Sequence, residues 1–403
     1  MRNSRGRYDE LLQPETVAAL HAAVEAARRD WSYLSSLSGS GPIAKLERTV
    51  GEFLGARHVL AVSSGTAALS LALMAHGLGP GDEIIVPDYT WGQTVAPVLH
   101  VGATPVLVDI DPVTCTLSPE WVSAAGTART RAVIAVHIFG HVADMRELRG
   151  LCRRRGWILI EDASQAFGAT LSGRCAGMLG NVGCFSLGQG KPLTAGEGGL
   201  LVTENRKVYE RALSLSQHPL RQRFELGPSN YPGDDQFGHN FRMHPFAAAI
   251  ANAEMASFGK RMRKSQELHE ILCRLMQGIA GIHPPRPTAE SASAWYRFCP
   301  TLVPEEIPDL SRSRFIAALR KKGVPASSDP VAVPLHRRPA LKRAALFPPG
   351  CPETARRCDC TGIVIETSGY KLEQGSRLGL FAEALKAVVS KTGRQMPDDG
   401  AFT

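Results

Sequence analysis

The stretch that decides the fold covers residues 158–203 and reads ILIEDASQAFGATLSGRCAGMLGNVGCFSLGQGKPLTAGEGGLLVT. Its three short apolar runs are predicted to be buried strands, because glycines and polar residues bound each of them. The first run leads into Asp162, the second carries Ser186, and the glycine-rich loop before the third carries Lys191. A carboxylate and a lysine this close to strand ends indicate a site for chemistry.

The predicted chemistry depends on Lys191. Most lysines are solvated surface charges, whereas small and apolar residues flank this one. An amine in such surroundings is partly desolvated and becomes a nucleophile. A lysine that forms a Schiff base, together with an aspartate at the ring nitrogen, is what proteins supply to pyridoxal 5′-phosphate (PLP). We therefore predict that Lys191 and Asp162 are catalytic and that both bind PLP.

Several motifs resemble the DegT/DnrJ/EryC1/StrS family of PLP-dependent sugar and cyclitol aminotransferases, which has fold type I. In chain order they are GPIAKLERTVGEFLGARHVLAVSSGTAALSLAL, GDEIIVPDYTW, ATPVLVDID, VHIFGHVADM, EDASQAFGA, FSLGQGKPLTAGEGG and FGHNFRM. A further piece, Pro334-Leu335-His336, follows later. The resemblance implies an α/β fold in which helices sandwich a mostly parallel seven-stranded sheet, followed by a smaller α+β domain.

Two domains are expected, because 403 residues of which 44% are hydrophobic can fill more than one core. We assign residues 1–255, with an N-terminal helical segment, to the large PLP-binding domain and residues 256–403 to the small one. Strands alternating with helices in the first part predict parallel strands with a site at their C-terminal ends. In the second part, Trp295 to Val303 is predicted to be a strand. Helices with clear bounds are predicted at Pro14–Arg29, Pro119–Ala125 and Met145–Arg155.

A phosphate-binding loop is predicted where the strand His58 to Val62 leads through small residues into an apolar helix. The unpaired amides and the dipole of a helix N-terminus both favour an anion. The alternative is an ordinary helix cap by Ser64 or Thr66. The resemblance implies that Gly65 and Thr66 contact the PLP phosphate, and that Ser186 supplies a hydroxyl to it.

The resemblance assigns two more contacts to PLP within the chain. Trp91 follows a predicted strand, and the family stacks an aromatic ring on the pyridine at the matching position. The alternative for this tryptophan is core packing. Gln165, three residues past Asp162, matches a glutamine of the family that contacts the cofactor.

The segment from Gln217 to His239 is polar, is interrupted by proline and glycine, and is predicted to be an irregular functional loop. In the family this loop reaches the partner subunit, which implies a homodimer with shared active sites. Asn240 would then contact the PLP phosphate of the second subunit, although a helix cap is an equally good interpretation of this residue. Arg221 and Arg223 could meet an anionic part of that subunit's substrate, with solvated surface charge as the alternative.

Charge and cysteine usage exclude other classes of protein. The net charge of +8 is spread over short basic clusters without interleaved aromatics, so nucleic-acid binding is not predicted. Nine irregularly spaced cysteines, including Cys358-Asp359-Cys360, fit reduced thiols better than a metal site, and no metal is expected. No apolar run is long enough to cross a membrane. We therefore expect a cytoplasmic enzyme.

The predicted function is transfer of an amino group from L-glutamine or L-glutamate to a keto sugar or keto cyclitol, as in secondary-metabolite or nucleotide-sugar biosynthesis. Three alternatives stay open: a sugar dehydratase of the same group, a synthase like the one that makes 3-amino-5-hydroxybenzoate, and a non-catalytic PLP-binding partner subunit. Dehydratases of this group replace the lysine by histidine, so Lys191 speaks against the first.

Two departures from the family pattern leave the acceptor unassigned. The apolar segment from Gly362 to Ser368 lacks histidines that many relatives carry there. Pro192 directly follows Lys191 and favours an extended backbone at the lysine. We expect the chemistry to tolerate both changes, while substrate recognition differs.

Overall fold

A computed structural model describes residues 13–35, 37–227, 231, 237–307, 311–346, 350–367 and 375–392. The α-helices are α1 (Pro14–Arg29), α2 (Pro42–Leu54), α3 (Gly65–Ala75), α4 (Gly92–His100), α5 (Pro119–Ala125), α6 (Met145–Arg155), α7 (Arg206–Ser216), α8 (Pro219–Leu226), α9 (Pro245–Met276), α10 (Arg312–Lys321), α11 (Pro352–Arg356) and α12 (Gly375–Thr392). The strands are β1 (His58–Val62), β2 (Glu83–Pro87), β3 (Thr104–Val108), β4 (Thr130–Val136), β5 (Ile158–Asp162), β6 (Thr170–Leu171), β7 (Arg174–Cys175), β8 (Val182–Ser186), β9 (Gly199–Thr203), β10 (Ile282–His283), β11 (Ser291–Ala292), β12 (Thr301–Leu302), β13 (Ala326–Ser328) and β14 (Ile363–Ile365).

The central sheet has seven strands in the order β1-β9-β8-β5-β4-β2-β3. Strand β9 runs antiparallel to both of its neighbours, whereas every other pairing in this sheet is parallel. The strands are buried almost throughout instead of alternating, because helices cover both faces. This confirms the predicted fold class, a mostly parallel seven-stranded sheet between helices.

Two hydrophobic cores lie on the two faces of this sheet. In β2, for example, Ile84 and Val86 join one core and Ile85 joins the other, as the period of two in a strand requires. One core contains the apolar sides of α2, α5 and α6, and the other contains those of α3, α4 and α7. Because α3 consists mainly of Ala and Leu, it is buried on nearly all sides between the sheet and its neighbours.

A third core lies in the C-terminal part, between the end of α9, α10, α12 and short strand pairs. The pairs are β10 with β12 and β13 with β14, all antiparallel. The prediction of one strand from Trp295 to Val303 is wrong, since Thr301–Leu302 is the part of it in strand conformation. Aromatic residues in this segment pack into the core from an irregular backbone, which the β-propensity of their side chains did not reveal.

The helix α9 connects the two parts of the chain. It is 32 residues long, about 48 Å at 1.5 Å per residue, and it runs without interruption through residues 255 and 256. Its first half packs against α1 and α2, and its last residues belong to the third core. The division into domains at this position therefore stays a prediction.

The predicted irregular loop from Gln217 to His239 is wrong in its first part, where α8 (Pro219–Leu226) forms a helix. Proline at the first helical position and His218 as the cap begin this helix, and Gly227 ends it. Residues 228–230 and 232–236 of the predicted loop lie outside the described residues. So do residue 368 and residues 394–403.

Candidate active site

Asp162 ends β5 at the edge where the parallel strands finish. Its Cα pairs with Val136 on β4 and with Cys184 on β8. The residue is 5% exposed, and its Oδ2 accepts a hydrogen bond from the Thr94 hydroxyl at 2.8 Å. Its Oδ1 accepts one from the Ser164 amide at 3.2 Å. These two donors fix the orientation of the carboxylate and leave it further lone pairs for a ligand.

Thr94 is a site residue that the sequence analysis misses. It lies in the first turn of α4, a helix whose apolar periodicity is short and contains Pro97. Its hydroxyl also shares a hydrogen bond of 3.0 Å with that of Thr90. Two threonines spaced by four residues directly after a predicted strand are the signal that could have found this pair.

Glu161 precedes Asp162 and belongs to the scaffold. Its fully buried carboxylate accepts hydrogen bonds from three backbone amides in residues 177–180, at 2.6 to 2.7 Å. The fourth donor is His137 Nε2 at 2.9 Å, since His137 Nδ1 accepts the amide of Ala143 at 3.1 Å. This network holds the turn that precedes β8, so His137 supports the site without being part of it.

The N-terminus of α3 lies against the end of β8. A Cβ at Gly65 would come within 2.8 Å of the Ser186 Cβ and 3.1 Å of the Ser164 Oγ, so only glycine fits. Ser64 caps the helix by accepting an amide of its first turn at 3.0 Å. The first amides of a helix have no partner within it, so those of Gly65 and Thr66 are available to an anion.

Lys191 lies in the loop between β8 and β9, and backbone hydrogen bonds close this loop. The Leu187 amide donates to Gly198 at 2.8 Å, and the Lys191 amide donates to Gly188 at 3.1 Å. The lysine side chain is half-buried, and its Nζ lies 4.5 Å from the centroid of the Tyr296 ring. Within the described ranges of the chain, this ammonium forms no ion pair.

Tyr296 lies next to the lysine and is, after Thr94, the second site residue that the sequence analysis misses. Its segment packs against the turn after β4, where a Cβ at Gly140 would meet the backbone nitrogens of Trp295 and Tyr296 at 2.8 and 2.9 Å. Gly140 has a φ of +91°, which a side chain would also strain. The C-terminal part of the chain therefore reaches the lysine through this close approach.

Gln165 is 4% exposed, and its Oε1 accepts the amide of Phe139 at 2.7 Å. Phe139 has a φ of 57°, a conformation that costs energy for a non-glycine residue and that this hydrogen bond helps to hold. The Gln165 amide nitrogen makes no hydrogen bond inside the described part of the protein. It is left as a donor at the same edge of the sheet as Asp162.

Trp91 and Asn240 are both exposed. Trp91 is the N-cap residue before α4 and has 38% of its surface exposed. Its carbonyl accepts the amide of Thr94, the residue that contacts Asp162. Asn240 lies next to a segment whose Phe241 carbonyl accepts the amide of Ser63, at the start of the phosphate-binding loop. Their predicted contacts with PLP therefore need a ligand or a second subunit and stay predictions.

Arg221, which the sequence analysis treats as a cation for an anionic substrate or for solvent, has another role. It is 1% exposed and forms ion pairs with Glu47 at 2.8 Å and Glu225 at 2.6 Å. Burial lowers the pKa of this guanidinium, but the two carboxylates outweigh burial and raise it. Burial also raises the pKa of Glu47, and Arg221 opposes that shift. The arginine ties α8 to α2 and is not available to a substrate.

A buried polar cluster joins the C-terminal part to the site. Tyr89 donates its hydroxyl hydrogen to Asp329 and accepts a hydrogen bond from Arg357 Nε at 3.0 Å. Arg357 also pairs with Asp329 at 3.3 Å and lies over the rings of Tyr89 and Phe139. Burial, with Asp329 acting in the same direction, raises the pKa of the Tyr89 phenol, so tyrosine stays the donor.

Asp88, His336 and Cys351 form a cluster whose ligand atoms lie within 4.8 Å of one another. Asp88 accepts hydrogen bonds from His336 Nδ1 at 2.6 Å and from the His336 amide at 2.7 Å. Burial, with Asp88 and then Asp109 adding to it, raises the pKa of the Cys351 thiol. The Cys351 thiol therefore keeps its proton, and the Asp88 carboxylate already accepts two hydrogen bonds. The cluster connects three segments of the chain and does not need a metal ion.

The residues at this edge fit PLP. Gly65, whose amide begins α3, is packed so tightly against Ser186 that no side chain could enter, as a phosphate-binding loop requires. A buried carboxylate, Asp162, and a half-buried amine, Lys191, follow on β5 and after β8. These groups, a donor amide, an acceptor carboxylate and a nucleophilic amine, are the ones that PLP needs at its phosphate, its ring nitrogen and its aldehyde.

Comparison with known families matches residues 21–363 to the DegT/DnrJ/EryC1/StrS aminotransferase family. The L-glutamine:2-deoxy-scyllo-inosose aminotransferase of Streptomyces kanamyceticus is 35% identical over 300 residues, covering 72% of this chain and 70% of that protein. GDP-perosamine synthase of Escherichia coli O157:H7 is 33% identical over 241 residues, covering 60% of this chain and 65% of that protein.

A solved structure of 3-amino-5-hydroxybenzoic acid synthase superimposes with a TM-score of 0.78 at 28% identity, covering 94% of this chain and 97% of that one. The similarity thus extends over nearly the whole chain, including the C-terminal part that carries Tyr296. In the helices that the structure describes, no segment is both long and apolar enough to cross a membrane.

Proposed function

This chain belongs to the DegT/DnrJ/EryC1/StrS aminotransferase family, and on that premise we propose that it transfers the amino group of L-glutamine or L-glutamate to a keto cyclitol or keto sugar. The enzyme is an aminotransferase, and its cofactor is PLP. The observation that carries the proposal is the convergence of Gly65, Asp162 and Lys191 around the end of β8.

PLP supplies an electron sink for the bond cleavage that transamination requires. Asp162 holds a proton at the pyridine nitrogen, and Thr94 keeps the carboxylate turned towards it. Lys191 Nζ would hold the cofactor covalently. Once the amino donor has freed it, the same amine would take the proton from the donor's Cα and return it on the product side.

The remaining residues of the site bind and orient the cofactor. The amides of Gly65 and Thr66 and the hydroxyl of Ser186 bind the phosphate, and the helix dipole of α3 favours the negative charge. Trp91 covers the ring face and excludes water. Gln165 donates its free amide hydrogens to the cofactor.

The acceptor is proposed from the relatives. The name of the Streptomyces kanamyceticus relative contains both L-glutamine and 2-deoxy-scyllo-inosose, which supports a cyclitol ketone. The name of GDP-perosamine synthase supports a nucleotide-linked sugar as the second candidate. The synthase-like alternative rests on one structure at 28% identity.

We also propose a homodimer with shared sites. Among the residues that the structure describes, the three most exposed large apolar side chains are aromatic, namely Trp31 at 80%, Phe224 at 83% and Phe237 at 95%. Aromatic residues of this kind are typical of the buried centre of an interface. Asn240 follows Phe237 closely and is exposed as well, so it could reach the phosphate of the second subunit. All nine cysteines are free thiols, which supports a reducing compartment such as the cytoplasm.

The test uses PLP-loaded enzyme and L-glutamine that carries nitrogen-15 at its α-amino group. Mass spectrometry should detect the label in the amine formed from 2-deoxy-scyllo-inosose, and not when Lys191→Ala replaces the wild type. Labelled product from a GDP-linked keto sugar alone would move the acceptor to nucleotide sugars. Release of water from the acceptor without incorporation of nitrogen would indicate a dehydratase, and no reaction with any keto acceptor would overturn the proposal.

A further inference from the structure

Arg297 is a half-buried residue and differs from the buried arginines Arg221 and Arg357. Arg221 is neutralised by two carboxylates and Arg357 by Asp329. The Nε of Arg297 is buried without a hydrogen-bond partner, and its guanidinium forms no ion pair with any residue in the described ranges. A buried guanidinium donor that lacks a partner is unfavourable, so this one is expected to meet a group that is not part of the chain.

The position of Arg297 next to the lysine indicates what that group is. Its guanidinium carbon lies 5.2 Å from the centroid of the Tyr296 ring, and Lys191 Nζ lies 4.5 Å from the same centroid. Its backbone amide donates to the carbonyl of Phe139 at 3.4 Å, and the amide of Phe139 is bonded to Gln165. Arg297 is therefore linked to the lysine through the Tyr296 ring and to Gln165 through the backbone of Phe139.

Space for a ligand exists on this side. A cavity of about 220 Å³ lies beside the lysine loop, lined by Gly190 and Pro192, which flank Lys191, and by Trp295 and Tyr296, which precede Arg297. The charged residue in its lining is Arg261 of α9. Two cations around one aromatic ring repel each other unless an anion lies near both. The flat fork of a guanidinium matches a carboxylate with two parallel hydrogen bonds.

We propose that Arg297 binds the α-carboxylate of the amino donor and so places the donor's α-carbon beside Lys191. This inference rests on the proposed function, because it takes the donor to be an amino acid. A keto cyclitol carries no anionic group, so Arg297 acts in the donor half of the reaction and not in the acceptor half. The residue is thus a determinant of donor specificity.

The experiment compares wild type with Arg297→Gln, Arg297→Lys and the exposed control Arg149→Gln on α6. All four are first checked for bound PLP by absorbance. Binding is then measured by calorimetry with α-methyl-L-glutamine, which has no Cα proton to lose and therefore does not react onward. Losing a charge-assisted hydrogen bond should weaken binding about tenfold to a hundredfold in Arg297→Gln and less in Arg297→Lys, with no change in the control.

Two further measurements make the outcome specific. Single-turnover rates with L-glutamine should show a raised half-saturation concentration in Arg297→Gln, while 4-aminobutanamide, which lacks the carboxylate, should react equally with variant and wild type. Enzyme loaded with pyridoxamine 5′-phosphate should aminate the keto acceptor at an unchanged rate. Binding of α-methyl-L-glutamine by Arg297→Gln within twofold of wild type would overturn the inference, and so would a defect confined to the acceptor half. A failure of the proposed function would give a different result. In that case the wild-type enzyme would bind α-methyl-L-glutamine but would aminate no keto acceptor.

Discussion

Replacing Arg221 by methionine should strongly lower the free energy of unfolding, although Arg221 is not part of the site around Lys191. The side chain is 1% exposed, and it neutralises Glu47 and Glu225. Methionine fills much of the space but leaves Glu47, whose side chain is 12% exposed, without its cation. Removing one partner of a buried pair costs about 3–5 kcal/mol, so we expect a loss of that size in the free energy of unfolding. Gly39, whose φ is +67° and whose Cβ would overlap the Arg221 side chain, shows how closely this arginine is packed.

The assay is urea unfolding of the PLP-loaded enzyme followed by far-ultraviolet circular dichroism. Arg57→Met is the matched control, because Arg57 pairs with Glu204 at 3.2 Å with 78% of its side chain exposed. Such a surface ion pair contributes about 0–1 kcal/mol to the free energy of unfolding. The double variant Arg221→Met with Glu47→Gln removes the uncompensated charge and should recover much of the loss. A cost for Arg221→Met no larger than that of Arg57→Met would refute the interpretation of a buried structural ion pair.

Three further predictions concern the site and its surroundings. Thr94→Val removes a donor to Asp162 worth about 1.5–3 kcal/mol, so the single-turnover rate with L-glutamine should fall about tenfold to a hundredfold, and Thr94→Ser should restore it. Gly65→Ala should weaken PLP binding at least about tenfold in equilibrium dialysis, because the new Cβ enters the phosphate-binding loop, whereas Gly259→Ala on α9 should leave it unchanged. Burial lowers the pKa of His269 to about 4 from an ordinary value of 6.5, so between these pH values the unfolded chain binds more protons than the folded one. The free energy of unfolding should therefore decrease by about 3 kcal/mol as pH falls through this window, and His269→Gln should flatten that slope in pH-dependent urea titrations.

The sequence is informative wherever the signal is local. Lys191, Ser186 and Asp162 fall in one stretch of apolar strands and glycine turns, and the structure has strands at the predicted places. The helices α1, α5 and α6 have the predicted bounds, because proline or an acidic cap begins each and their apolar spacing is regular. Local periodicity and turn chemistry therefore suffice for the sheet and for the edge that carries the lysine.

The residues that the sequence does not reveal are those that depend on distant contacts. Tyr89 bonds to Asp329 across 240 positions and to Arg357 across 268. Tyr296 meets Lys191 from the C-terminal part of the chain. Arg221 has the sequence context of a surface charge, and only the packing of α8 on α2 makes it a buried one. The local sequence pattern does not distinguish such residues from solvated surface residues or from ordinary core residues.

Locating PLP on the chain tests most directly whether Lys191 is the catalytic lysine. Sodium borohydride reduces the bond between PLP and a lysine amine to a stable one, and peptide mass spectrometry then identifies the modified residue. We expect the pyridoxyl group on Lys191. It should disappear when L-glutamine is added before the reduction, because the donor has then displaced the lysine. A label on another lysine, or a label on Lys191 that L-glutamine does not remove, would contradict the proposed function.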